Sequence, residues 1–281
     1  MAIISPFQSF PAPAKLNLTL AITGRRADGY HLLESVFRFI DLMDTVELAV
    51  RDDGQIVLDT PIAGVPADTD LTVRAARALQ AASGSTLGAS IRLHKQIPMG
   101  GGLGGGSSDA ATVLLALNRL WQLNLPRQAL QDIGVTLGAD VPVFIFGRPA
   151  FATGIGDELT ECDVPDAWYV VLHPGVSVPT AKIFSHQGLT RNSTPSIMRA
   201  LQTTQRKNDM QSVVCQMFPE VADCLAKASE HGSAMMTGSG ACVFLECDTE
   251  TQAGAVFQSL SHSYTGFVAR GLQHHPLYDG R

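Results

Sequence analysis

Pro98-Met99-Gly100-Gly101-Gly102-Leu103-Gly104-Gly105-Gly106-Ser107-Ser108-Asp109 is the stretch on which the reading of this chain turns. Six glycines in seven positions suit neither a strand nor a helix interior. Glycine loses the most backbone freedom on ordering and has no side chain to pack. What such a loop offers is a row of unshielded amide N–H groups. Ala110-Ala111-Thr112-Val113-Leu114-Leu115-Ala116-Leu117-Asn118-Arg119-Leu120-Trp121 comes directly after it and reads as a helix, apolar nearly all round and hence buried. A glycine loop emptying into a helix N-terminus is an anion cradle, because free N–H groups converge where the helix dipole is positive. The stretch predicts phosphate binding.

Upstream of the loop, Lys15 to Ile22 alternates, with Leu16, Leu18, Leu20 and Ile22 on one face and Lys15, Asn17 and Thr19 on the other. Residues 23–29 read as a turn ending in Asp28-Gly29, and a second extended stretch runs through Phe37 and Ile40. Val46, Leu48 and Val50, then Asp52-Asp53-Gly54, then Ile56 and Leu58 read as a hairpin. Asp70 is placed to cap a helix over 72–82, and Ile91 and Leu93 mark a strand leading to Pro98. Downstream, Pro126 opens a short helix. From Trp168 the texture restarts: a strand over 168–172, a short helix over 179–184, helical segments within 196–204 and 209–230, strand–turn–strand around Gly238-Ser239-Gly240, a helix over 249–260 and a last strand near 266–269. Two mixed α+β halves therefore meet near residues 150–165.

The 281 residues are 45% hydrophobic and 16% charged, which suits a globular chain with a substantial core. Net charge is −6 and no basic stripe occurs, so nucleic acid is not an expected partner. No apolar run approaches the roughly 18 residues that span a bilayer, and the first 13 lack the pattern of a secretory signal; no membrane association and a cytoplasmic location are expected. The cysteines, Cys162, Cys215, Cys224, Cys242 and Cys247, have scattered spacings and read as reduced thiols. The histidines other than His31, including His274 and His275, read as surface residues.

Three kinds of phosphate loop compete. A Walker A loop requires a lysine before its Ser/Thr, and here the glycines run straight into Ser107-Ser108. The G-x-G-x-x-G match of Gly100, Gly102 and Gly105 is nearly inevitable in so glycine-dense a run, and no strand ending in Asp or Glu occurs at the distance of a ribose contact. That speaks against a nicotinamide-linked oxidoreductase. Third, Pro98 to Ala111 resembles the nucleotide loop P-x-x-x-G-L-G-S-S-A-A of the GHMP kinase superfamily, with extra glycine and with Asp109 in place of a small residue. Pro13-Ala14-Lys15-Leu16-Asn17-Leu18, Arg26-Ala27-Asp28-Gly29-Tyr30-His31 and Leu137-Gly138-Ala139-Asp140-Val141-Pro142 extend the resemblance over about residues 13–276. They narrow it to the branch that acts on a cytidyl-diphosphate methylerythritol in the non-mevalonate route to isoprenoid precursors.

The resemblance implies a kinase that transfers the γ-phosphoryl of ATP, with Mg²⁺, to the 2-hydroxyl of the methylerythritol moiety. It implies an α+β, two-domain GHMP kinase fold: a ribosomal protein S5 domain 2-like N-terminal ATP-binding domain over 1–160 and a ferredoxin-like C-terminal domain over 161–281, with the reactants between them. Another GHMP-type small-molecule kinase and a non-catalytic nucleotide-binding regulator are the alternatives; Tyr30-His31 speaks against the first, and the presence of both Lys15 and Asp140 against the second.

Phosphoryl transfer needs positioning, charge neutralisation and a group to take the hydroxyl proton. Asp140 is the candidate base, although Asp-Val-Pro is also good helix-cap chemistry. Lys15 is its candidate partner, against the alternative of a solvated strand lysine. The amides from Gly101 to Ser108 are expected to wrap the ATP phosphates, with Pro98, Met99 and Gly100 leading in. Ser107 and Ser108 are expected helix caps, with one hydroxyl available to phosphate or metal. Asp109 would repel phosphate and is expected to point away. No side chain stands out as a metal ligand, and Mg²⁺ commonly keeps phosphate and water as its ligands. For the small-molecule cytidyl diphosphate substrate, the resemblance implies that His31 reads the cytosine and Tyr30 stacks on it. Asn17 is expected beside the substrate, with Thr180 and Phe184 from the second half. Gly238-Ser239-Gly240 reads equally as a hairpin turn or as a buttress for the phosphate loop.

Overall fold

The computed structural model describes residues 2–62, 64–195 and 206–278; the helix expected within 196–204 falls outside them. The chain runs β1 (Gln8–Arg25), β2 (His31–Arg51), β3 (Ile56–Leu58), α1 (Leu71–Ser83), β4 (Gly88–His94), α2 (Gly105–Leu120), α3 (Arg127–Leu137), α4 (Val141–Phe146), β5 (Ala150–Thr153) and β6 (Glu158–Glu161). It continues through β7 (Trp168–His173), α5 (Thr180–Ser185), α6 (Gln211–Met217), α7 (Pro219–Ser229), β8 (Ala234–Met236), β9 (Val243–Cys247), α8 (Glu250–Leu260) and β10 (Thr265–Leu272). The fold is mixed α and β, as expected.

The spine is β2. Along its length it pairs antiparallel with β1, and its other neighbours are β5 at Ser35–Phe37, β10 at Phe39 and Ile40, and β4 from Thr45 to Arg51. β10 then pairs with β7, β7 with β9 and β9 with β8, all antiparallel. Helices α1 to α4 cover the first part of this sheet over a core that includes Phe37, Phe39, Leu79, Ile91, Leu114 and Phe144. A second core joins β7 and β9 to α6, α7 and α8 through Val170, Leu245, Val214, Cys224 and Ala253. A third, around Leu16, Leu103, Tyr169 and Phe244, ties the two halves together.

Several local expectations hold for the reasons given. Asp70 accepts the amides of Thr72 and Val73 and starts α1, whose Val73, Ala76 and Leu79 are buried. The cysteines are free thiols. The helical stretch after Asp209 breaks in two at Phe218, because the residue before a proline is disfavoured in the α region.

Others are corrected. β1 runs on through Thr23, Gly24 and Arg25, held by the Arg25–His31 pairing, so the turn is shorter than 23–29. The β1 alternation is interrupted by a register shift between Asn17 and Thr19. The extra residue redirects the rest of the strand, so Leu16 and Leu18 enter the third core while Leu20 and Ile22 enter the second. The 46–58 hairpin does not form. β3 pairs in parallel with β4, and β4 lies between β3 and β2. The crossover through α1 brings back a strand whose Ala89 and Ile91 are fully buried, and it takes the inner place, leaving the short, half-buried β3 at the edge. His275 is fully buried rather than on the surface. Its backbone N–H donates to Gly147 O (2.9 Å) and its ring meets Phe39 and Tyr278 edge-on, so the chain after β10 is folded back onto the first core. Burial pushes its imidazole down to about 3.

Candidate active site

The glycine run is part loop and part helix. Gly104 is the N-cap of α2 in a left-handed conformation (φ +73°), and Gly105 to Asp109 are already helical. This corrects both the helix start and the serine caps. No side chain caps α2; Gly104 turns the chain into the helix with a backbone geometry that only glycine adopts freely. Ser108 N–H donates to Gly104 O (2.9 Å), so the amides of Gly105, Gly106 and Ser107 stand ahead of the helical ladder. Gly102 is required for a different reason: a Cβ there would lie 2.3 Å from Thr237 O.

Both readings of Gly238-Ser239-Gly240 hold. It turns β8 into β9, and Ala241 N–H and Cys242 N–H donate to Gly100 O and Gly101 O at 3.2 and 3.1 Å. The second half of the chain therefore carries the glycine loop on its carbonyl side.

Lys15 lies behind Gly102 and Gly104. Its own N–H donates to Leu103 O (2.9 Å), and its ammonium donates to Asn17 Oδ1 (2.5 Å) and Gly102 O (3.0 Å) and meets Asp140 Oδ2 at 3.3 Å. The ring of Phe37 lies under the ammonium, 5.5 Å from Nζ to its centroid. The Lys15 side chain is 3% exposed, against 36% for that of Asp140. Asp140 occupies the N-cap position of α4 but makes no side-chain cap bond. The side-chain cap is therefore not formed, and the carboxylate is left for Lys15 and for the cleft. Asn17 is committed at both ends, since Nδ2 donates to Ser35 Oγ (2.7 Å), and its amide N–H donates to Thr237 Oγ1 (2.9 Å).

These residues line one cleft of about 820 Å³ between the two halves. It gathers Lys15, Asn17, Tyr30, His31, Gly100, Gly102, Gly104, Ser107, Asp140, Thr180 and Phe184. Tyr30 is exposed (59%). His31 stacks on Phe184, with centroids 4.7 Å apart and planes 24° apart. Burial, and then the charges of Arg191 and Arg25, hold its imidazole below the ordinary value. Thr180 Oγ1 and Ser239 Oγ are hydrogen-bonded at 2.7 Å, joining α5 to the glycine turn. Pro98 and Met99 line a smaller groove of about 140 Å³ on the other side of the loop, which Gly100 to Gly106 share. Ser108 reaches neither: its hydroxyl is buried without a partner among the described residues.

Sequence reasoning missed the group behind that groove. Asp109 does turn from the cleft, and it meets Lys95 Nζ at 2.7 Å. Lys95 also pairs with Asp44, which accepts the amides of Gln96 (2.5 Å) and Ile97 (2.8 Å). Burial pushes the Asp109 carboxyl up to about 7, with Lys95 pulling against it and Asp44 adding to it. No local pattern links Asp44 to Lys95; only the return of β4 beside β2 does. Arg191 was missed for the same reason. Among the described residues, no group of three or more His, Cys, Asp or Glu side chains is gathered to hold a metal.

A glycine cradle at a helix N-terminus, beside an ion-paired carboxylate open to a roomy cleft, defines a phosphotransferase that acts on an alcohol. Family models for the GHMP kinases N terminal domain and the GHMP kinases C terminal match residues 70–148 and 185–266. The 4-diphosphocytidyl-2-C-methyl-D-erythritol kinase of Chromobacterium violaceum is 61% identical over 98% of both chains. That of Neisseria meningitidis serogroup A is 55% identical over 99% of both. A crystal structure of 4-(cytidine 5'-diphospho)-2C-methyl-D-erythritol kinase superposes with a TM-score of 0.79 at 32% identity, covering 94% of this chain and 99% of that one. The chain belongs to the 4-diphosphocytidyl-2-C-methyl-D-erythritol kinase family of the GHMP kinases.

Proposed function

We propose that this kinase transfers the γ-phosphoryl of ATP to the 2-hydroxyl of 4-diphosphocytidyl-2-C-methyl-D-erythritol, giving ADP and the 2-phosphate on the route to isoprenoid precursors. The observation that carries the reading is the placement of Asp140 and Lys15 at the rim of the glycine cradle, inside the cleft that also holds His31, Tyr30 and Phe184.

In this reading the amides of Gly101 to Ser107 hold the nucleotide phosphates, with Pro98 and Met99 beside the nucleotide. His31 hydrogen-bonds the cytosine, and Tyr30 and Phe184 lie against its faces. Thr180 borders the diphosphate path. The acceptor oxygen attacks the γ-phosphorus while Asp140 takes its proton, and the bond to the β–γ bridging oxygen breaks as ADP leaves. Lys15, steadied by Asn17 and Gly102, orients Asp140 and offsets charge on the transferring group. The donor set suits a nucleotide-borne Mg²⁺. The Ser107 hydroxyl is a hard oxygen donor in the cleft that would hold the ion, with phosphate and water as its other ligands, and Asp140 stays free for the proton. When bound, the ion neutralises phosphate charge. Residues 1–160 and 161–281 are the two domains, and the protein works in the cytoplasm; no described helix is long and apolar enough to cross a membrane.

The test is a mass-spectrometric assay for gain of one phosphate on the cytidyl substrate in the presence of ATP. Phosphorylation of homoserine or mevalonate instead would overturn the substrate assignment. His31→Ala is expected to raise KM for the cytidyl substrate about tenfold, one hydrogen bond's worth, and to spare KM for ATP. Equal damage to both constants would reject the cytosine role.

A further inference from the structure

We infer that Arg191 is a positioning residue that fixes the tautomer of His31 and thereby sets which atom of the pyrimidine the cleft accepts. The inference deepens, and rests on, the assignment of His31 to the cytosine.

Arg191 lies after α5 in the second half of the chain, 160 positions from His31, and the fold brings the two into contact. Its Nε donates to His31 Nε2 at 3.2 Å. Three of its four remaining donors are tied down: Nη1 donates once, to Leu189 O (3.1 Å), and Nη2 donates to Phe184 O and His186 O (2.8 Å each). A guanidinium has five N–H donors, no acceptor, and a charge it does not lose in proteins. The imidazole nitrogen it faces must therefore present a lone pair. A neutral His31 then carries its proton on Nδ1. Among the described residues no acceptor is paired with Nδ1, so that N–H is left for whatever enters the cleft His31 lines.

Nη2 also holds the backbone of Phe184, the ring stacked on His31. One guanidinium thus fixes the edge of the imidazole and the aromatic ring against its face. A second charge, Arg25, lies near the imidazole, and both cations and burial favour the neutral ring. Cytosine offers acceptors at N3 and O2 and a donor at its exocyclic amine. A fixed Nδ1–H matches an acceptor and mismatches the amine. Without Arg191 the ring would exchange tautomers, and the fraction holding its proton on Nε2 would present a lone pair where a donor is needed.

The experiment begins on the unaltered enzyme. Protein labelled with ¹⁵N in its histidine rings is examined by ¹H–¹⁵N correlation, with His31 assigned from the signal lost in His31→Gln. One tautomer, protonated at Nδ1, is expected; protonation at Nε2 or a tautomer mixture overturns the inference. Arg191→Met is expected to give mixed tautomers and a KM for the cytidyl substrate raised about tenfold, with kcat and the KM for ATP unchanged. Arg191→Lys, which still offers a donor to Nε2, is expected to recover most of that loss. A KM for ATP that rises in step, or no recovery in the lysine variant, would make Arg191 merely structural. If His31→Ala leaves the cytidyl KM unchanged while the wild-type ring is locked at Nδ1–H, the cytosine reading fails and the positioning stands. If the ring is not locked, the positioning fails.

Discussion

Two lysine–aspartate groups flank the glycine loop, one on each side, and they are built to opposite ends. On the cleft side Lys15 is buried while Asp140 keeps 36% of its side chain exposed, free of any cap bond. On the far side Asp44 and Asp109 are both buried, at 0% and 2%, with Lys95 between them. The residue types are the same; what differs is which partner faces water. A carboxylate that is steadied on one side and open on the other can take a proton from a ligand. A carboxylate closed in on all sides can only hold the backbone, as Asp44 does through the amides of Gln96 and Ile97, which lead into Pro98.

The contrast is broken most severely by Asp44→Ala. Removing one partner of a buried ion pair and the acceptor of two amides is expected to cost about 3–5 kcal/mol of stability, read by chemical denaturation. A loss below about 1 kcal/mol would mean that the far group is not structural. Asp140→Ala is expected to lower turnover at least ~100-fold, equivalent to about 2.7 kcal/mol of barrier, with the circular dichroism melt unchanged. Lys15→Ala is expected to lower turnover alike, and turnover in the double variant to be little worse than in either single one, because the two work as a unit. Additive losses would show that they act separately.

The smallest effect sharpens the comparison through pH. Asp109 is raised to about 7 in the folded chain, against about 4 for an unfolded aspartate. Between those values the folded state holds the extra proton, so this group's stabilising contribution is full below about pH 4 and is lost as pH rises through about 7. The slope is at most about 1.4 kcal/mol per pH unit and is expected to vanish in Asp109→Asn. Parallel curves of stability against pH for the variant and wild type, from pH 5 to 8, would mean that Asp109 is ionised throughout.

Much of the site was legible because its signals are local. A glycine run emptying into an apolar helix announces a cradle, and Asp70 announces a cap. The motif residues Lys15, His31 and Asp140 were named from sequence and do meet in one cleft. What stayed hidden depends on distant pairing. The order of β3 and β4 in the sheet is set by a crossover that alternation does not encode. Serines after a glycine run look like caps until the left-handed Gly104 is seen to take that position. His275 looks like a tail residue because its burial comes from Phe39, Gly147 and Tyr278. Arg191 carries no motif at all, since three of its four hydrogen-bond partners are carbonyl oxygens.

The return of the last strand to β2 has a consequence for biosynthesis. Phe39 and Ile40 emerge early from the ribosome, yet Gly271, Leu272 and His275, which complete their surroundings, are made more than 200 residues later. At about 5–20 residues per second, that edge waits ten seconds or more for its cover. A nascent chain stalled before residue 270 would therefore leave the Phe39–Ile40 segment of β2, though already paired with β1, without its β10 neighbour and open to chaperones and to its neighbours on the polysome.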